Sequence, residues 1–291
     1  MRKRRPMTPH LSDPLHAFSF GGGVQSTAAL VLAATGDLPA TDDSCRWDVF
    51  LFANVGENAE HPATLRYVTE YAMPYAEDHG IVLREVRKRR RDGTPDDLMD
   101  AIKRVNRSLP FPVRMSNGAP GRRSCTADFK INVIARELRR LGATNDNPAI
   151  VGIGISMDEI QRAKGWGTVD PRNLLQVREY PLLRLGLRRN DALRIIAASG
   201  LPQPPRSACY FCPFHSMDEW RRLKRDEPDL FAKSVALEAE MNHRREQMGK
   251  DHVWLTRFGR PLDQVVNDQM VLSLDDPGVA DAPCDSGHCF T

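Results

Sequence analysis

The sequence predicts an α/β fold, a mostly parallel sheet flanked by helices, followed by a smaller helical C-terminal portion. Three observations predict it. Short apolar runs alternate with helix-period stretches over the first 180 residues, which is the mark of parallel strands joined by helical crossovers. A triple glycine, Gly21-Gly22-Gly23, stands between the first apolar run and the first helical pattern. After Tyr180 the apolar runs give way to charged, helix-period sequence.

Taken in order, Ala17–Phe20 reads as a short strand, Gly21–Gly23 as a turn and Gln25–Ala34 as a helix. Asp48–Val55 (DVFLFANV) is a second strand, with a helix over Pro62–Asp78 behind it. Ile81–Val86 reads as a third strand and Ala149–Ser156 (AIVGIGIS) as a fourth, with helical patterns at Asp96–Arg107 and Asp128–Leu141 between them. Beyond Tyr180, Asp191–Ser199 reads as helix, Pro202–Pro205 as a break and Met217–Met248 as largely helical. There is no internal repeat, and from Asp275 the tail is polar without periodicity. The predicted organisation is a flexible basic arm (1–14), an α/β nucleotide-binding domain (15–205) and a CxxC-containing helical region with an acidic tail (206–291).

With 291 residues, 41% hydrophobic and 27% charged, the chain lies outside the disordered, collagen-like and coiled-coil classes. Its longest purely apolar run, Ala28–Ala34, falls far short of the ~20 residues of a membrane helix. Met1–Arg5 is basic, but Thr8–His16 supplies no apolar stretch of the kind a secretory leader needs. The expectation is a cytoplasmic protein with no membrane partner. The net charge of +3 hides an asymmetry. Of 38 acids, six aspartates lie after Arg260, where no Lys or Arg follows, so residues 1–260 carry 41 basic groups against 32 acidic. Such a body favours an anionic ligand, from a nucleotide to a nucleic acid.

The sharpest local feature is Ser19-Phe20-Gly21-Gly22-Gly23-Val24-Gln25-Ser26-Thr27. The glycines permit a tight turn and let backbone N–H groups approach an anion. The helix that follows adds the positive end of its dipole, and Ser26 and Thr27 carry hydroxyls. A P-loop needs Lys where Gln25 stands, and the dinucleotide fingerprint needs Gly where Ser26 stands.

Gly22-Gly23-Val24-Gln25-Ser26 resembles the Ser-Gly-Gly-x-Asp-Ser loop of the PP-loop ATP pyrophosphatases, in their phosphoadenosine-phosphosulfate (PAPS) reductase-like branch, with Gln25 in place of the Asp. Ala53-Asn54-Val55-Gly56-Glu57 with Thr64 is similar to the segment after that family's second strand. Gly152-Ile153 and Ser156-Met157-Asp158-Glu159 with Arg162 resemble its Gly-Ile-Arg-x-x-Glu-Ser segment. Tyr180-Pro181-Leu182-Leu183 and Gly200-Leu201-Pro202 resemble its later landmarks. The resemblance spans Phe18 to His215. It implies an adenine-nucleotide-hydrolase-like sheet of five or more strands. ATP with Mg2+ would sit against Ser19, Gly21, Gly22, Gly23, Gln25, Ser26, Thr27, Asn54, Gly152 and Arg162, with Asp158 and Glu159 as catalytic acids.

Six cysteines in a chain with no secretory signature point to metal or redox work rather than to disulfides. Cys209-Tyr210-Phe211-Cys212 is a CxxC followed by Pro213-Phe214-His215, and two thiolates in such a turn can hold one metal ion. Cys125, in Arg122-Arg123-Ser124-Cys125, is separated from the pair by 83 residues. Iron–sulfur adenylylsulfate reductases are similar in carrying a Cys-Cys pair about that far upstream, of which this chain keeps the second member. The resemblance therefore implies a [4Fe-4S] cluster on Cys125, Cys209 and Cys212, with Cys289 or Cys284 as a fourth ligand; Zn2+ is the alternative. Cys45 stands in a polar loop and reads as structural. The tail Cys284-Asp-Ser-Gly-His288-Cys289 shares ingredients with the reductases' catalytic tail, which would make Cys284 or Cys289 a nucleophile.

Arg84–Arg91 (REVRKRRR) is either a solvated face or a phosphate contact, and Arg122 and Arg123 beside Cys125 offer a further phosphate contact. Asp158, Glu159 and Arg162 stand just past an apolar strand, where open α/β sheets place ligands. Trp220 and Arg221–Glu227 read as helix surface; His61 and His79 have no identifiable partners. Three functions remain open. The first is an ATP-dependent sulfurtransferase acting on a nucleic-acid component, with a sulfur-donor protein as partner. The second is a sulfonucleotide reductase, and the third a zinc-stapled nucleotide- or nucleic-acid-binding module.

Overall fold

Two faces of hydrophobic side chains, one on each side of a central sheet, organise the molecule. The computed structural model describes residues 14–41, 44–104, 109–170 and 173–267. β1 (His16–Phe20) leads through the glycine turn into α1 (Val24–Thr35), and β2 (Val49–Asn54) follows. α2 (Pro62–Tyr67), a π-helical turn (Val68–Ala72) and α3 (Met73–Asp78) together fill the predicted helix and lead to β3 (Leu83–Arg87). α4 (Leu98–Arg104), α5 (Ser124–Thr126) and α6 (Asn132–Arg140) precede β4 (Ala149–Ile153), with a second π-helical turn at Ala127–Ile131. A 3-10 helix (Met157–Arg162), β5 (Val169–Asp170) and β6 (Asn173–Glu179) complete the sheet. The remainder is helical: α7 (Pro181–Arg184), α8 (Arg189–Ala198), α9 (Met217–Asp226), α10 (Pro228–Gln247) and α11 (Leu262–Asn267).

The sheet order is β3-β2-β1-β4-β6-β5. Five strands are parallel, and only the short edge strand β5 runs antiparallel, against β6. Alternation along each strand sends side chains to opposite faces. Phe18, Phe50 and Phe52 pack with Leu30 and Tyr67 on one side, while Ala17, Leu51 and Val151 pack with Leu138 and Tyr180 on the other. Burial on both faces is why these strands read as continuous apolar runs.

β5 and β6 were not expected. β6 (NLLQVRE) carries Gln176, Arg178 and Glu179, all buried, so its run is broken by polar residues. Glu179 is satisfied by Trp166 Nε1 at 2.7 Å and Arg184 at 2.9 Å. The helix expected at Asp96–Arg107 starts only at Leu98. Asp96 is held ahead of it by Lys88, Arg90 and Arg104, and Asp97 Oδ1 accepts from the backbone N–H of Met99. Its far end lies outside the described residues.

A second core lies beyond the sheet, where Leu98, Ile102, Phe111 and Phe129 meet Phe211, Trp220, Phe231 and Leu255. α9, α10 and α11 thus share one core with the segment between β3 and β4, whereas α8 packs on α1. Trp220, expected on a helix surface, is fully buried at its centre. α9 is amphipathic with Met217, Trp220 and Leu223 inward, a spacing that places these three on one face.

Glu238 on α10 clasps this region. Its carboxylate accepts from the backbone N–H groups of Leu255 (2.6 Å) and Leu262 (2.7 Å), and burial pushes its pKa up to about 7. An acid whose folded pKa is raised adds stability below its unfolded value near 4.5 and loses it as pH rises through about 7. The melting temperature of the wild type is therefore expected to fall relative to Glu238→Gln between pH 4.5 and 7. Parallel melting curves across that window would refute the assignment.

Candidate functional site

The chain order of the sheet reverses between β1 and β4: β2 and β3 lie to one side of β1, β4 and β6 to the other. Open α/β sheets leave a crevice at the carboxyl ends of the strands at such a point. The glycine loop leaves β1 there, and Gly154–Arg162 leaves β4 opposite it.

The loop is shaped by sterics. Gly22 has φ +76°, and a Cβ on it would stand 3.0 Å from Thr64 Cγ2 and 3.3 Å from Val68. Gly23 caps α1: its N–H donates to Ser26 Oγ (3.1 Å), which donates back to Gly23 O (3.0 Å). Ser26 therefore serves its own helix end. Thr27 is fully buried beside the Tyr67 hydroxyl, whose pKa burial pushes up to about 12. The glycine that closes the crevice on the β4 side is Gly154, where a Cβ would come within 3.3 Å of the Ser26 nitrogen. The family resemblance places Gly152 at the nucleotide instead. A Cβ on Gly152 would press into the rings of Phe18 and Trp47 at 2.5 Å, so that glycine serves strand packing.

Polar groups converge on the crevice. Gln25 Nε2 donates to Glu159 Oε2 at 3.5 Å, and Glu159 pairs with the buried Arg162, so a polar chain joins the two sides. Ser19 Oγ, Gln25 Oε1, Asn54 Nδ2 and Ser156 Oγ are all buried without a hydrogen-bond partner. They come from the ends of β1, α1, β2 and the segment after β4. Unsatisfied buried polar atoms each cost about 1–3 kcal/mol, so each calls for a partner such as water or a ligand; of the four, Gln25 and Ser156 line the cleft described next. Asp158 lines the same cleft and is engaged there: it accepts from the Arg189 N–H at 2.6 Å and pairs with Arg188 at 3.4 Å, holding the start of α8.

A cleft of about 620 Å3 extends from Gln25, Ser156, Glu159 and Arg162 to a second wall formed by His61, Arg206, His215, Glu219 and Arg222. The linker before α9 is tied over α2 by Thr64 Oγ1 to Arg206 O (3.3 Å) and by Tyr67 OH to Pro202 O (2.9 Å). His61, unassigned from sequence, caps α2 by accepting from Ala63 N (3.2 Å) and pairs with Glu227 (3.1 Å). His79 contacts Tyr75 O at 2.7 Å. His215 lies edge-on to Trp220 at 4.8 Å with its Nδ1 buried and unpartnered; burial, then the charges of Arg206 and His61, pushes its pKa down to about 3. In sequence the CxxC marks the sulfurs, and nothing marks the His three residues later.

The CxxC forms a turn in which Cys212 N donates to Cys209 O, and His215 N to Cys212 O, each at 3.0 Å. Cys209 and Cys125 pack against the same second core, and Cys212 is buried. Among the described residues no three Cys, His, Asp or Glu side chains stand together as a metal site. The described thiols thus do not by themselves compose the four-thiolate set of a cluster, and Cys284 and Cys289 lie outside the described residues. Cys45 is exposed.

Four of the six basic residues in the run Arg84–Arg91 are paired with acids. Arg84 pairs with Glu137 (2.6 Å), Arg87 with Glu57 (2.8 Å) and Glu85, and Lys88 with Asp96 (3.5 Å); Arg90 reaches both Asp96 (3.2 Å) and Asp100 (3.1 Å). Among the described residues no helix is long and apolar enough to cross a membrane. Compared with known proteins, the chain matches no protein-family model, no curated protein and no solved structure.

Proposed function

We propose that this chain is a PAPS reductase-like ATP pyrophosphatase that adenylates an oxygen of its substrate and passes sulfur to the activated position, the substrate being a nucleic-acid component. The unpartnered polar atoms of Gln25 and Ser156 in the cleft beside the glycine turn, with those of Ser19 and Asn54 at the neighbouring strand ends, carry this reading, because a polar ligand would satisfy them. In the first step the substrate oxygen attacks the α-phosphorus of ATP. The bond to the β-phosphate oxygen breaks, and pyrophosphate leaves with the electron pair. The N–H groups of the glycine turn and the start of α1 stabilise that departing charge. In the second step a hydrosulfide attacks the activated carbon, forming the C–S bond as the C–O bond breaks, and AMP leaves with the former substrate oxygen. Mg2+ would ride on the nucleotide's phosphates and neutralise them, with Glu159 as the carboxylate already hydrogen-bonded to the loop. Cys209 and Cys212, in the turn that leads to the cleft wall, are the thiols suited to receive or hold sulfur, with Cys125 beside the same core.

Thermal shift on anaerobically purified protein tests the reading, with ATP–Mg2+, adenylylsulfate and PAPS in separate arms. A ligand at 100 times its dissociation constant stabilises by about 2.7 kcal/mol. Stabilisation by ATP is expected, with pyrophosphate released on adding the acceptor. Stabilisation by a sulfonucleotide and none by ATP would replace the reading with reduction. Iron and labile sulfide in the wild type, lost in Cys209→Ser, would assign the thiols to a cluster; one equivalent of zinc would assign them to a staple.

A further inference from the structure

Three segments remote in sequence meet beside the CxxC turn. Arg114 is paired through its backbone with Trp254 in both directions (2.8 and 2.9 Å), and Gly121 N donates to Val113 O at 2.7 Å, so the hairpin that carries Arg114 is pinned. From that hairpin the chain runs directly to Arg123. The guanidinium of Arg123 lies 4.6 Å from the centre of the Phe214 ring and that of Arg114 lies 5.4 Å from it. The Nε atoms of both arginines are buried and have no hydrogen-bond partner. Among the described residues neither is paired with a carboxylate, in contrast to Arg84, Arg87 and Arg90, each of which is. Burial, then the nearby Arg257, holds the Arg114 guanidinium below its ordinary pKa. Two guanidinium groups thus stand over one ring with no carboxylate of the described residues paired to either.

We propose that Arg114 and Arg123, shelved on Phe214, form a phosphate-ester site that takes the backbone phosphates of a nucleic-acid substrate. A guanidinium that gives its face to an aromatic ring keeps its in-plane N–H edge for a phosphate, which it can grip with two hydrogen bonds. Phe214 immediately precedes His215, which lines the cleft, so a strand held here lies next to the crevice. The excess of basic over acidic groups in residues 1–260 supplies the long-range attraction. The second phosphate of a small nucleotide presents the same group and is the other source of this ligand chemistry. The assignment deepens the function proposed above and rests on it only for what happens to the bound strand.

The test is fluorescence anisotropy of 5′-labelled 20-nucleotide single-stranded RNA and DNA over a salt series, on the full chain and on Arg114→Ala, Arg123→Ala and the two Arg→Lys variants. Binding is expected to weaken about fivefold to tenfold in each Ala variant, uniformly across sequences, with the salt slope reduced by about 0.7–1 per lost contact. The Lys variants, which keep the charge, should lie between; they also cover the case in which an Ala variant does not fold. Competition by adenosine 3′,5′-bisphosphate separates the sources. If it displaces the strand and binds as tightly, with the same dependence on Arg114 and Arg123, the site belongs to a small nucleotide and the nucleic-acid assignment falls. No binding of any of these ligands by the wild type, or affinities and slopes unchanged in every folded variant, overturns the site itself. ATP affinity measured on the same proteins keeps the two readings apart. A wild type that binds strands through these arginines but never ATP would sink the adenylation reading and leave this one standing.

Discussion

Gly22→Val is expected to abolish ATP binding while leaving the sheet folded. Gly22 sits at φ +76°, a region that costs a β-branched residue about 1–3 kcal/mol. A side chain there would also run into Thr64 Cγ2 and Val68 Cγ2, at 3.0 and 3.3 Å from the first carbon alone. Thr64 is not free to retreat, because it is fully buried and its hydroxyl reaches Arg206 O. The loop must therefore rebuild, and the N–H groups that face the crevice move with it. A loss on the order of 100-fold in ATP affinity corresponds to about 2.8 kcal/mol, which the strain and the clash together supply. Gly36→Val is the control. Gly36 has φ +78° at the end of α1, with nothing within 4 Å of a Cβ. It should show the backbone strain in its melting temperature and no change in ATP affinity. Equal ATP affinity in the two variants, by calorimetry at one pH, would remove the loop from nucleotide binding.

What the sequence displayed, and what it hid, divides by how local the physics is. The strand–glycine–helix run at Ala17–Ala34 is legible because both strand faces are buried and the turn needs glycine at a positive φ, so composition and geometry coincide. β6 was illegible because Gln176, Arg178 and Glu179 are buried polar residues, and the partners that satisfy Glu179 come from Trp166 and Arg184 rather than from a sequence pattern. Gly152 and Gly154 look alike in AIVGIGIS. Only the position of the Phe18 and Trp47 rings on one side and of the α1 start on the other tells a packing glycine from a crevice glycine. The basic run Arg84–Arg91 raised the same problem: its acids, Glu57, Asp96, Asp100 and Glu137, are brought to it by the fold. Conversely, nothing in the sequence marks Arg114, since its place is set by Phe214, a hundred residues away.

Trp220 is the residue for which the charged sequence around it misled most, and Trp220→Ala carries the largest expected loss of stability. Its ring is fully buried, edge-on to His215 at 4.8 Å and to Phe231 at 6.5 Å, and its Nε1 makes no hydrogen bond. The loss is therefore one of packing alone. Truncating a buried Trp costs about 3–5 kcal/mol, a large share of the 5–15 kcal/mol that holds a typical domain together. At about 2–4 °C per kcal/mol the midpoint should fall by roughly 10 °C. A surface tryptophan would change stability by no more than about 0.5 kcal/mol, so a shift under 2 °C would refute its place in the core. The site should register the change as well. Glu219 and Arg222, which line the cleft, ride on α9 with Trp220, and His215 rests against its ring. Below the new midpoint Trp220→Ala should bind ATP more weakly, whereas Trp220→Phe, which retains most of the buried ring, should restore both stability and affinity in part. Restored stability without restored affinity would separate the far wall of the cleft from the core on which it stands.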